Sequence, residues 1–193
     1  MRDPALLDRR PILVALAGPN GAGKSTFYRA HLESAGLRLV NVDVLAGELE
    51  LDAYAAARTA RALRRALVMR KESFVFETVF SDPAGEKLAF LKNAESSGYT
   101  VVLCFIGLAS PGISEERVAM RVSQGGHDVP GEKLKSRFPR TLSNLKAAIH
   151  RLSHVLVYDN SDLNHPYRLV AEFEKGRRIE RSAVPRWLRA LLG

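Results

Sequence analysis

Short apolar runs alternate with longer amphipathic stretches along most of the chain. Five of the runs have the length and composition of buried strands, and they occupy residues 12–17, 37–42, 73–76, 99–106 and 154–158. Between them, helical patterns occur near residues 50–70, 84–97, 114–124 and 131–152. Strands that alternate with helices predict an α/β fold with a mostly parallel sheet of about five strands, flanked by helices.

The C-terminal region has a different pattern. Residues 167–173 and 178–181 resemble two short strands around a turn at 174–177, and a helical stretch follows Pro185. This pattern predicts a small hairpin and a short helix over about residues 166–193. Because the sequence has no internal repeat, low-complexity tract or linker, we expect a single domain over residues 1–193.

Length and composition favour a compact enzyme domain. The chain has 193 residues with 46% hydrophobic content, enough for a substantial core. Its apolar runs are far shorter than the roughly 20 residues of a membrane span, and the N-terminus lacks a signal-peptide pattern, so we expect a cytoplasmic protein without a membrane partner. The single cysteine, Cys104, excludes an internal disulfide and a cysteine-based zinc site, and its apolar neighbours predict a buried core thiol.

The charge is strongly positive, at +8 with a pI near 9.9. The basic residues concentrate in three groups: Arg58, Arg61, Arg64 and Arg65; Arg117, Arg121, Lys133, Lys135, Arg137 and Arg140; and Lys175, Arg177, Arg178, Arg181, Arg186 and Arg189. The first group lies opposite an apolar helix stripe, which indicates a mostly solvated face. The third group is either a charged surface or a site for an anionic partner. No recognisable nucleic-acid module is present, so nucleic acid is a less favoured partner that the basic C-terminal segment leaves open.

Residues 18–25 fit the phosphate-binding P-loop, G-x-x-x-x-G-K-[ST], and stand between a predicted strand and a predicted helix, as the motif requires. We expect nucleotide contacts from Gly18, Pro19, Asn20, Gly21, Ala22, Gly23, Lys24, Ser25 and Thr26. Glycines allow backbone N–H groups to surround phosphate oxygens, Lys24 can reach the β- and γ-phosphates, and Ser25 can ligate Mg²⁺. The motif predicts binding of a nucleoside triphosphate, with ATP favoured.

Carboxylates follow two of the other predicted strands. Asp43 comes at the end of the second strand, and Glu77 with Thr78 at the end of the third. Ligands of open parallel sheets collect at the carboxyl ends of the strands. Phosphoryl transfer needs one group to orient or deprotonate the acceptor hydroxyl and others to hold Mg²⁺, so these residues are candidates for both tasks. Ordinary capping of strand ends is the alternative interpretation.

A helical lid is predicted over about residues 112–140. Arg117 and Arg121 share one helix face, Arg137 and Arg140 share a face of the next helix, and Gly125 with Gly126 separates the two. Arginines on such a lid would neutralise charge on the transferred phosphoryl group and help exclude water. Surface ion pairs with neighbouring glutamates are the alternative. His127 is a candidate phosphate or substrate contact, although a histidine in a turn is more often structural or solvated.

Together these motifs resemble the zeta-toxin-like family of P-loop kinases. The shared order comprises the P-loop at 18–26, Asn41-Val42-Asp43, residues 73–81, Arg117 through Pro130, Arg137-Phe138-Pro139-Arg140 and residues 158–161. The resemblance covers about residues 11–161. It implies transfer of the ATP γ-phosphate to a hydroxyl of a small molecule such as UDP-N-acetylglucosamine, and a proteinaceous antitoxin as partner.

The resemblance also implies roles for individual residues. Lys24 would be the phosphate ligand, Ser25 the Mg²⁺ ligand, and Asp43 the base that accepts the acceptor hydroxyl proton. Glu77 with Thr78 would lie in the substrate pocket, and Arg121 would be the lid arginine at the γ-phosphate. This sequence places His127 or its glycine neighbours where longer toxins carry a second lid arginine, so that charge would come from Arg137 or Arg140.

Other P-loop classes fit less well. An ABC-type ATPase needs an L-S-G-G-Q-like signature and an apolar strand ending in Asp-Glu, whereas this chain offers the scrambled residues 122–126 and Asp159-Asn160. A GTPase would need an N-K-x-D motif, which is missing from the sequence. An ATPase associated with nucleic acid through the basic C-terminal segment remains the alternative from a binding class.

Overall fold

The computed structural model describes residues 4–126, 128–179 and 183–193. Within them the elements are α1 (Pro4–Asp8), β1 (Ile12–Ala17), α2 (Lys24–His31), a 3-10 turn (Glu33–Ala35), β2 (Arg38–Val40), α3 (Val42–Glu48), α4 (Ala53–Met69), β3 (Phe74–Thr78), α5 (Glu86–Ser96), β4 (Thr100–Gly107), α6 (Pro111–Ser123), α7 (Gly131–Arg151), β5 (His154–Asp159), β6 (Arg168–Glu174), β7 (Arg177–Arg178) and α8 (Arg186–Leu192).

The strands form one sheet in the order β2-β3-β1-β4-β5-β6-β7. The first five pair in parallel, and β6 and β7 continue the sheet in antiparallel fashion beyond β5. The predicted α/β fold with a mostly parallel, helix-flanked sheet is confirmed. The sheet has seven strands in the described residues rather than about five, because β6 and β7 of the predicted C-terminal hairpin join it beside β5. β7 covers Arg177–Arg178, whereas the predicted second strand was residues 178–181, and residues 180 and 181 lie outside the described residues.

Alternate residues of the central strands pack into two cores, one on each face of the sheet. Along β1, Leu13 and Ala15 join the core under α4, α5, α7 and α8, whereas Ile12 and Val14 join the core under α2. All six residues of β1 are buried. The central position of β1 therefore brings the loop after it, with the P-loop motif, to the middle of the sheet edge where β3 and β4 also end.

The end of β2 corrects the sequence interpretation. Residues 37–42 predict a strand that ends in Asp43, but β2 stops at Val40 and α3 begins at Val42. The side chain of Asn41 accepts a hydrogen bond from the backbone N–H of Asp43 at 2.8 Å, which caps the first turn of α3. Asp43 therefore lies in the first turn of a helix, a conformation that the apolar pattern of the preceding run did not indicate.

Cys104 is fully buried in β4, as predicted, and burial raises the pKa of its thiol to about 12. At that pKa the thiol stays protonated at neutral pH, so it is an inert core group. A membrane-spanning helix, which would have to be both long and apolar, is not found among the described residues.

The last helix closes the sheet over the end of β4. Trp187 of α8 is buried, and its indole Nε1 donates a hydrogen bond to Asp159 Oδ1 at 3.3 Å. The ring covers Gly107 so closely that a Cβ at this position would lie 2.3 Å from two of its carbon atoms. The absence of a side chain at Gly107 is thus a packing requirement.

Replacement of Gly107 by alanine is expected to destabilise the protein by about 1–3 kcal/mol, because either the indole or the end of β4 has to move. Urea denaturation followed by circular dichroism measures this change. Gly112→Ala is the matched control, since a Cβ there meets only the Ser110 side chain at 3.7 Å. Equal unfolding midpoints for the two variants would contradict the packing argument.

Candidate functional site

The P-loop connects β1 to α2 through a backbone that requires glycine. Gly23 has a φ of 83° immediately before α2, in the left-handed region. A Cβ at Gly23 would also lie 2.6 Å from the hydroxyl of Tyr167. Lys24 and Ser25 follow as the first residues of α2, so both side chains emerge at the positive end of the helix.

Three carbonyl groups of the P-loop are fixed by side chains from other parts of the fold. Ser114 Oγ of α6 donates to Asn20 O at 2.7 Å. Asn160 Nδ2, just after β5, donates to Ala22 O at 2.9 Å, and the Tyr167 hydroxyl donates to Gly23 O at 3.0 Å. The shape of the loop therefore depends on α6 and on the segment between β5 and β6 as well as on its own glycines.

Lys24 is almost fully buried, with 7% of its surface exposed. Its Nζ donates to Gly18 O at 3.1 Å and Pro19 O at 2.9 Å, and lies 3.9 Å from Glu77 Oε1. Burial lowers the pKa of Lys24, the Glu77 carboxylate opposes this shift, and the charge of Arg121 adds to it. These electrostatic effects place Lys24, Glu77 and Arg121 in one neighbourhood.

Glu77 connects the P-loop to α3. Its Oε2 accepts hydrogen bonds from Ser25 Oγ at 2.8 Å and from Asn41 Nδ2 at 2.9 Å. Asn41 in turn caps the helix that carries Asp43. A serine hydroxyl beside a carboxylate offers the hard oxygen atoms that Mg²⁺ prefers, so the residues present fit a magnesium-bound triphosphate. The described residues contain no cluster of three acidic, histidine or cysteine side chains, and Mg²⁺ at phosphate sites usually needs only one or two carboxylates.

A cleft of about 1280 Å³ opens above these residues. Ligand sites for drug-sized molecules usually measure about 300–1,000 Å³, so there is room for a donor and an acceptor together. Of the residues nominated from sequence, the cleft is lined by Asn20, Gly21, Gly23, Lys24, Ser25, Thr26, Asp43, Glu77, Thr78, Arg117, Arg121 and Arg137. Gly18, Pro19 and Ala22 are buried in the loop behind the lining.

Two nominated residues do not join this set. Arg140 is exposed on α7 and is not part of the cleft lining. His127 lies outside the described residues. Arg137, one helical turn before Arg140, is half-buried and lines the cleft, so of this arginine pair only Arg137 faces the site.

The predicted lid corresponds to α6, a glycine turn and the first half of α7. Gly125 has a φ of 83°, and the N–H groups of Gly125 and Gly126 bond to Val122 O and Arg121 O. Gly125 thus supplies the predicted left-handed cap. On α6, Arg117 Nη2 donates to Ser161 O at 3.2 Å, and burial lowers the pKa of this guanidinium.

The loop after β3, residues 79–82, is strained and held in place by α7. Phe80 is fully buried with a φ of 60°, unusual for a bulky residue. Its N–H donates to Thr78 Oγ1 at 3.0 Å. From α7, Thr141 Oγ1 donates to Val79 O at 3.0 Å, and Asn144 Nδ2 donates to Phe80 O at 2.9 Å and Asp82 O at 3.0 Å. We call residues 79–82 the β3 loop.

The position of α4 places its basic face beside the cleft. Arg58, Arg61, Arg64 and Arg65, which we call the α4 arginines, were expected on a mostly solvated face. Arg58, Arg61 and Arg65 are exposed as predicted and Arg64 is half-buried, and all four line the cleft. The predicted apolar stripe is correct in that Ala56, Ala60 and Leu67 are buried. Since α4 packs beside α3 at the rim of the site, the flank next to this stripe borders the cleft. The sequence contained a sign that these arginines could serve a binding site, because α4 has no acidic residue to pair with them.

The sequence analysis assigned no role in the site to several residues that shape it. These are Ser114, Asn160 and Tyr167, which hold the P-loop, and Asn144 and Thr141, which hold the β3 loop. Asn160 had a usable signal, since it follows a buried strand directly. The others act over more than 60 positions along the chain, and no local pattern marks them.

Comparisons with known proteins agree with this architecture. Residues 13–138 match the model of an AAA domain family, AAA_33, and this match covers more than half of the chain. No curated protein matches the chain in sequence.

Several solved structures share the fold at low sequence identity. The AvrRxo1-ORF1:-ORF2 complex with ATP has a TM-score of 0.70 at 20% identity, covering 90% of this chain and 62% of that one. A putative kinase from Chloroflexus aurantiacus j-10-fl has a TM-score of 0.58 at 19% identity, covering 81% and 92%. The PezAT chromosomal toxin–antitoxin system of Streptococcus pneumoniae has a TM-score of 0.59 at 14% identity, covering 85% and 72%.

The chain thus spans just under two thirds of the AvrRxo1-ORF1:-ORF2 chain that it matches. At these identities the likeness concerns the fold, which is that of a P-loop kinase-like domain.

The β3 loop generates a stability prediction. Asn144→Ala removes two hydrogen bonds to buried or partly buried carbonyl groups and is expected to cost about 1–3 kcal/mol of folding free energy. Urea denaturation measures this loss. Ser143→Ala, at an exposed position on the same helix, is the control and should unfold within about 0.5 kcal/mol of the parent protein. A neutral Asn144→Ala would show that the loop holds its conformation without α7.

Proposed function

Because the chain belongs to the AAA domain family AAA_33, we propose that this P-loop protein is a Mg²⁺-dependent kinase that transfers the γ-phosphate of ATP to a hydroxyl of a small molecule. One observation carries the proposal. A P-loop lysine, a serine–glutamate pair suited to Mg²⁺ and a separate carboxylate, Asp43, line one cleft with room for two substrates.

The donor half of the site binds the triphosphate. The P-loop backbone and Lys24 hold its phosphates, with Arg117 and Arg121 reaching the cleft from α6. Ser25 and Glu77 would hold Mg²⁺, which supplies neutralisation of charge on the β- and γ-phosphates. This assignment moves Glu77 from the acceptor pocket, where the family resemblance suggested it, to the metal side, since it contacts Ser25 directly.

The acceptor half of the site begins at Asp43. Its side chain is exposed in the cleft, on the first turn of α3, which Asn41 caps. In the proposed reaction it accepts the proton of the acceptor hydroxyl as that oxygen bonds to the γ-phosphorus. The bond from the γ-phosphorus to the bridging oxygen breaks, and ADP leaves with the electron pair. Arg121 and Arg137 stabilise the charge that develops on the phosphoryl group.

The finer parts of the proposal concern the acceptor and a protein partner. A nucleotide sugar such as UDP-N-acetylglucosamine is the acceptor that the zeta-toxin resemblance suggests, and the volume of the cleft is compatible with it. An antitoxin partner is proposed because one structural neighbour, PezAT, is a toxin–antitoxin system.

The base assignment has a direct test. Asp43→Asn is expected to retain ATP binding and to lower transfer by roughly 10²–10⁴-fold, because the amide cannot take a proton. Lys24→Ala is expected to weaken both ATP binding and phosphoryl transfer. The measurements are ATP titration calorimetry and transfer of label from γ-labelled ATP to a panel of UDP-sugars, nucleosides and metabolite extract.

Glu48→Gln is the control for Asp43→Asn, since Glu48 is exposed on the same helix and away from the cleft lining. Wild-type turnover by Asp43→Asn would show that another group accepts the proton. Label found only as free phosphate would identify an ATPase, the alternative of a P-loop protein without a small-molecule product.

The metal assignment has its own test. Removal of Mg²⁺ by EDTA is expected to abolish transfer, and Glu77→Gln is expected to raise the Mg²⁺ concentration for half-maximal rate by about tenfold or more, because a neutral amide is a weaker ligand. Magnesium titrations at fixed ATP measure this shift. An unchanged Mg²⁺ dependence in Glu77→Gln would place the carboxylate outside the metal site.

A further inference from the structure

We propose that Asp159 and Ser161, at the end of β5, are positioning residues: they fix the carbonyl group that holds Arg117 of α6 toward the bound nucleotide. This inference rests on the proposed function, because it assigns Arg117 to ATP. It gives a role to residues 158–161, a motif of the sequence that the proposed reaction does not use. We call residues 159–161 the β5 end.

The Asp159 carboxylate is bound by protein donors and does not reach the cleft. An aspartate after an apolar strand holds Mg²⁺ in many P-loop proteins. Here Asp159 is buried and is not part of the cleft lining, whereas Glu77 is. Its Oδ1 accepts hydrogen bonds from Ser161 Oγ at 2.5 Å, from Ser161 N at 3.2 Å and from Trp187 Nε1 at 3.3 Å. Arg168 Nη2 donates to Oδ2 at 3.4 Å. Any effect of this carboxylate on the cleft therefore passes through its partners.

Ser161 connects the carboxylate to α6 at two points. Its Oγ donates to Asp159 and accepts a hydrogen bond from the N–H of Ala109, just before α6 begins, at 2.9 Å. Its carbonyl oxygen accepts a hydrogen bond from Arg117 Nη2 at 3.2 Å, further along the same helix. A hydroxyl bonded to an ionised carboxylate makes one of the stronger hydrogen bonds in proteins. The Asp159–Ser161 contact thus fixes the carbonyl to which Arg117 binds.

Arg117 is held on two sides. It is half-buried and lines the cleft, and its Cβ would lie 3.1 Å from a Cβ added at Gly21, so its stem packs against the P-loop. Its guanidinium is held by Ser161 O. Burial lowers the pKa of Arg117, and the charges of Tyr167 and Asp159 oppose this shift. A side chain that is already ordered loses less conformational entropy when it binds a ligand, so this arginine is prepared for the nucleotide.

Asn160, the middle residue of the β5 end, binds the P-loop itself. Its Nδ2 donates to Ala22 O at 2.9 Å, and its backbone N–H donates to Gly107 O at 3.0 Å. Three consecutive residues therefore contact the C-terminal region, the P-loop and α6 in turn. Because they share one short stretch of backbone, they set the position of α6 relative to the P-loop.

The C-terminal helix, α8, supports the β5 end through Trp187. The buried indole donates to Asp159 Oδ1 and covers Gly107, the last residue of β4. This helix lies beyond residues 13–138, which match the family model. A contact outside the matched region thus contributes to the geometry of the nucleotide site.

The affinity for Mg²⁺-ATP, measured by titration calorimetry, tests the assignment. Arg117→Gln is expected to weaken binding by about tenfold, because a charged donor to the nucleotide is lost. Ser161→Ala is expected to weaken it by about threefold to tenfold, because the carbonyl loses its link to Asp159. Ser161→Thr keeps the hydroxyl and should bind ATP within about twofold of the parent protein. Equal affinities for Ser161→Ala and the parent would contradict the assignment.

The Asp159 carboxylate has a matched control nearby. Asp159→Asn keeps the shape of the side chain, weakens the bond from Ser161 Oγ and should lower ATP affinity by about threefold or more. Asp162→Asn removes the same charge at an exposed position outside the cleft lining and should not lower ATP affinity. The field of a lost negative charge acts in the opposite direction, since it favours the binding of an anion. Tighter or unchanged ATP binding by Asp159→Asn would overturn the role of this carboxylate.

A double-mutant cycle separates positioning from a general structural effect. In the Arg117→Gln background, Ser161→Ala should change ATP affinity by less than about twofold, because the side chain on which it acts is gone. Its effect on the midpoint of urea unfolding should persist in both backgrounds. The same loss of ATP affinity in both backgrounds would show that Ser161 supports the P-loop independently of Arg117, and the inference would then be wrong.

ATP affinity is measured without an acceptor, so the test of the positioning residues is independent of transfer. Label from γ-labelled ATP found only as free phosphate would refute the kinase proposal and leave the positioning assignment intact. Transfer to a small molecule, with equal ATP affinities for the parent, Arg117→Gln and Ser161→Ala, would refute the positioning assignment alone.

Discussion

A single carboxylate, that of Glu77, connects the ends of three neighbouring parallel strands. It accepts hydrogen bonds from Ser25 after β1 and from Asn41 after β2, while itself ending β3, and it lies 3.9 Å from Lys24. Because β3 lies between β2 and β1 and all three strands run parallel, these groups meet at the carboxyl ends of the strands. The Glu77 carboxylate therefore contacts Ser25, lies near Lys24 and binds Asn41, the residue that caps the helix carrying Asp43.

The two sides of the cleft are supported by different parts of the fold. The P-loop is held by α6 and by the segment between β5 and β6, through bonds to three of its carbonyl groups. The β3 loop, with its strained Phe80, is held by α7. Arg137 of α7 also lines the cleft, so the helix that holds the β3 loop also contributes a charged side chain to the site. Movement of α7 would therefore displace the β3 loop and Arg137 together.

Much of the donor side could be predicted from sequence, because its residues are contiguous. The P-loop and its flanking strand and helix form one local unit, and Gly125 caps α6 as the pattern indicated. Predictions failed where a local pattern had two structural solutions. The run before Asp43 continued as a strand by hydropathy alone, yet the side chain of Asn41 begins a helix there. The arginine-rich face of α4 is opposed to an apolar stripe and mostly exposed, as predicted, but the pattern did not indicate that this face borders the cleft.

The sequence by itself determined the α/β class, the approximate positions of the parallel strands along the chain and the phosphate-binding loop. These follow from short-range periodicity and from a motif whose chemistry is contained in nine consecutive residues. Only the tertiary structure decided that Glu77 faces Ser25, that α7 holds the β3 loop and that the α4 arginines border the cleft. These contacts are between residues that are distant in the chain. The free energy of each contact depends on burial and on partner groups that become neighbours only when the sheet is assembled.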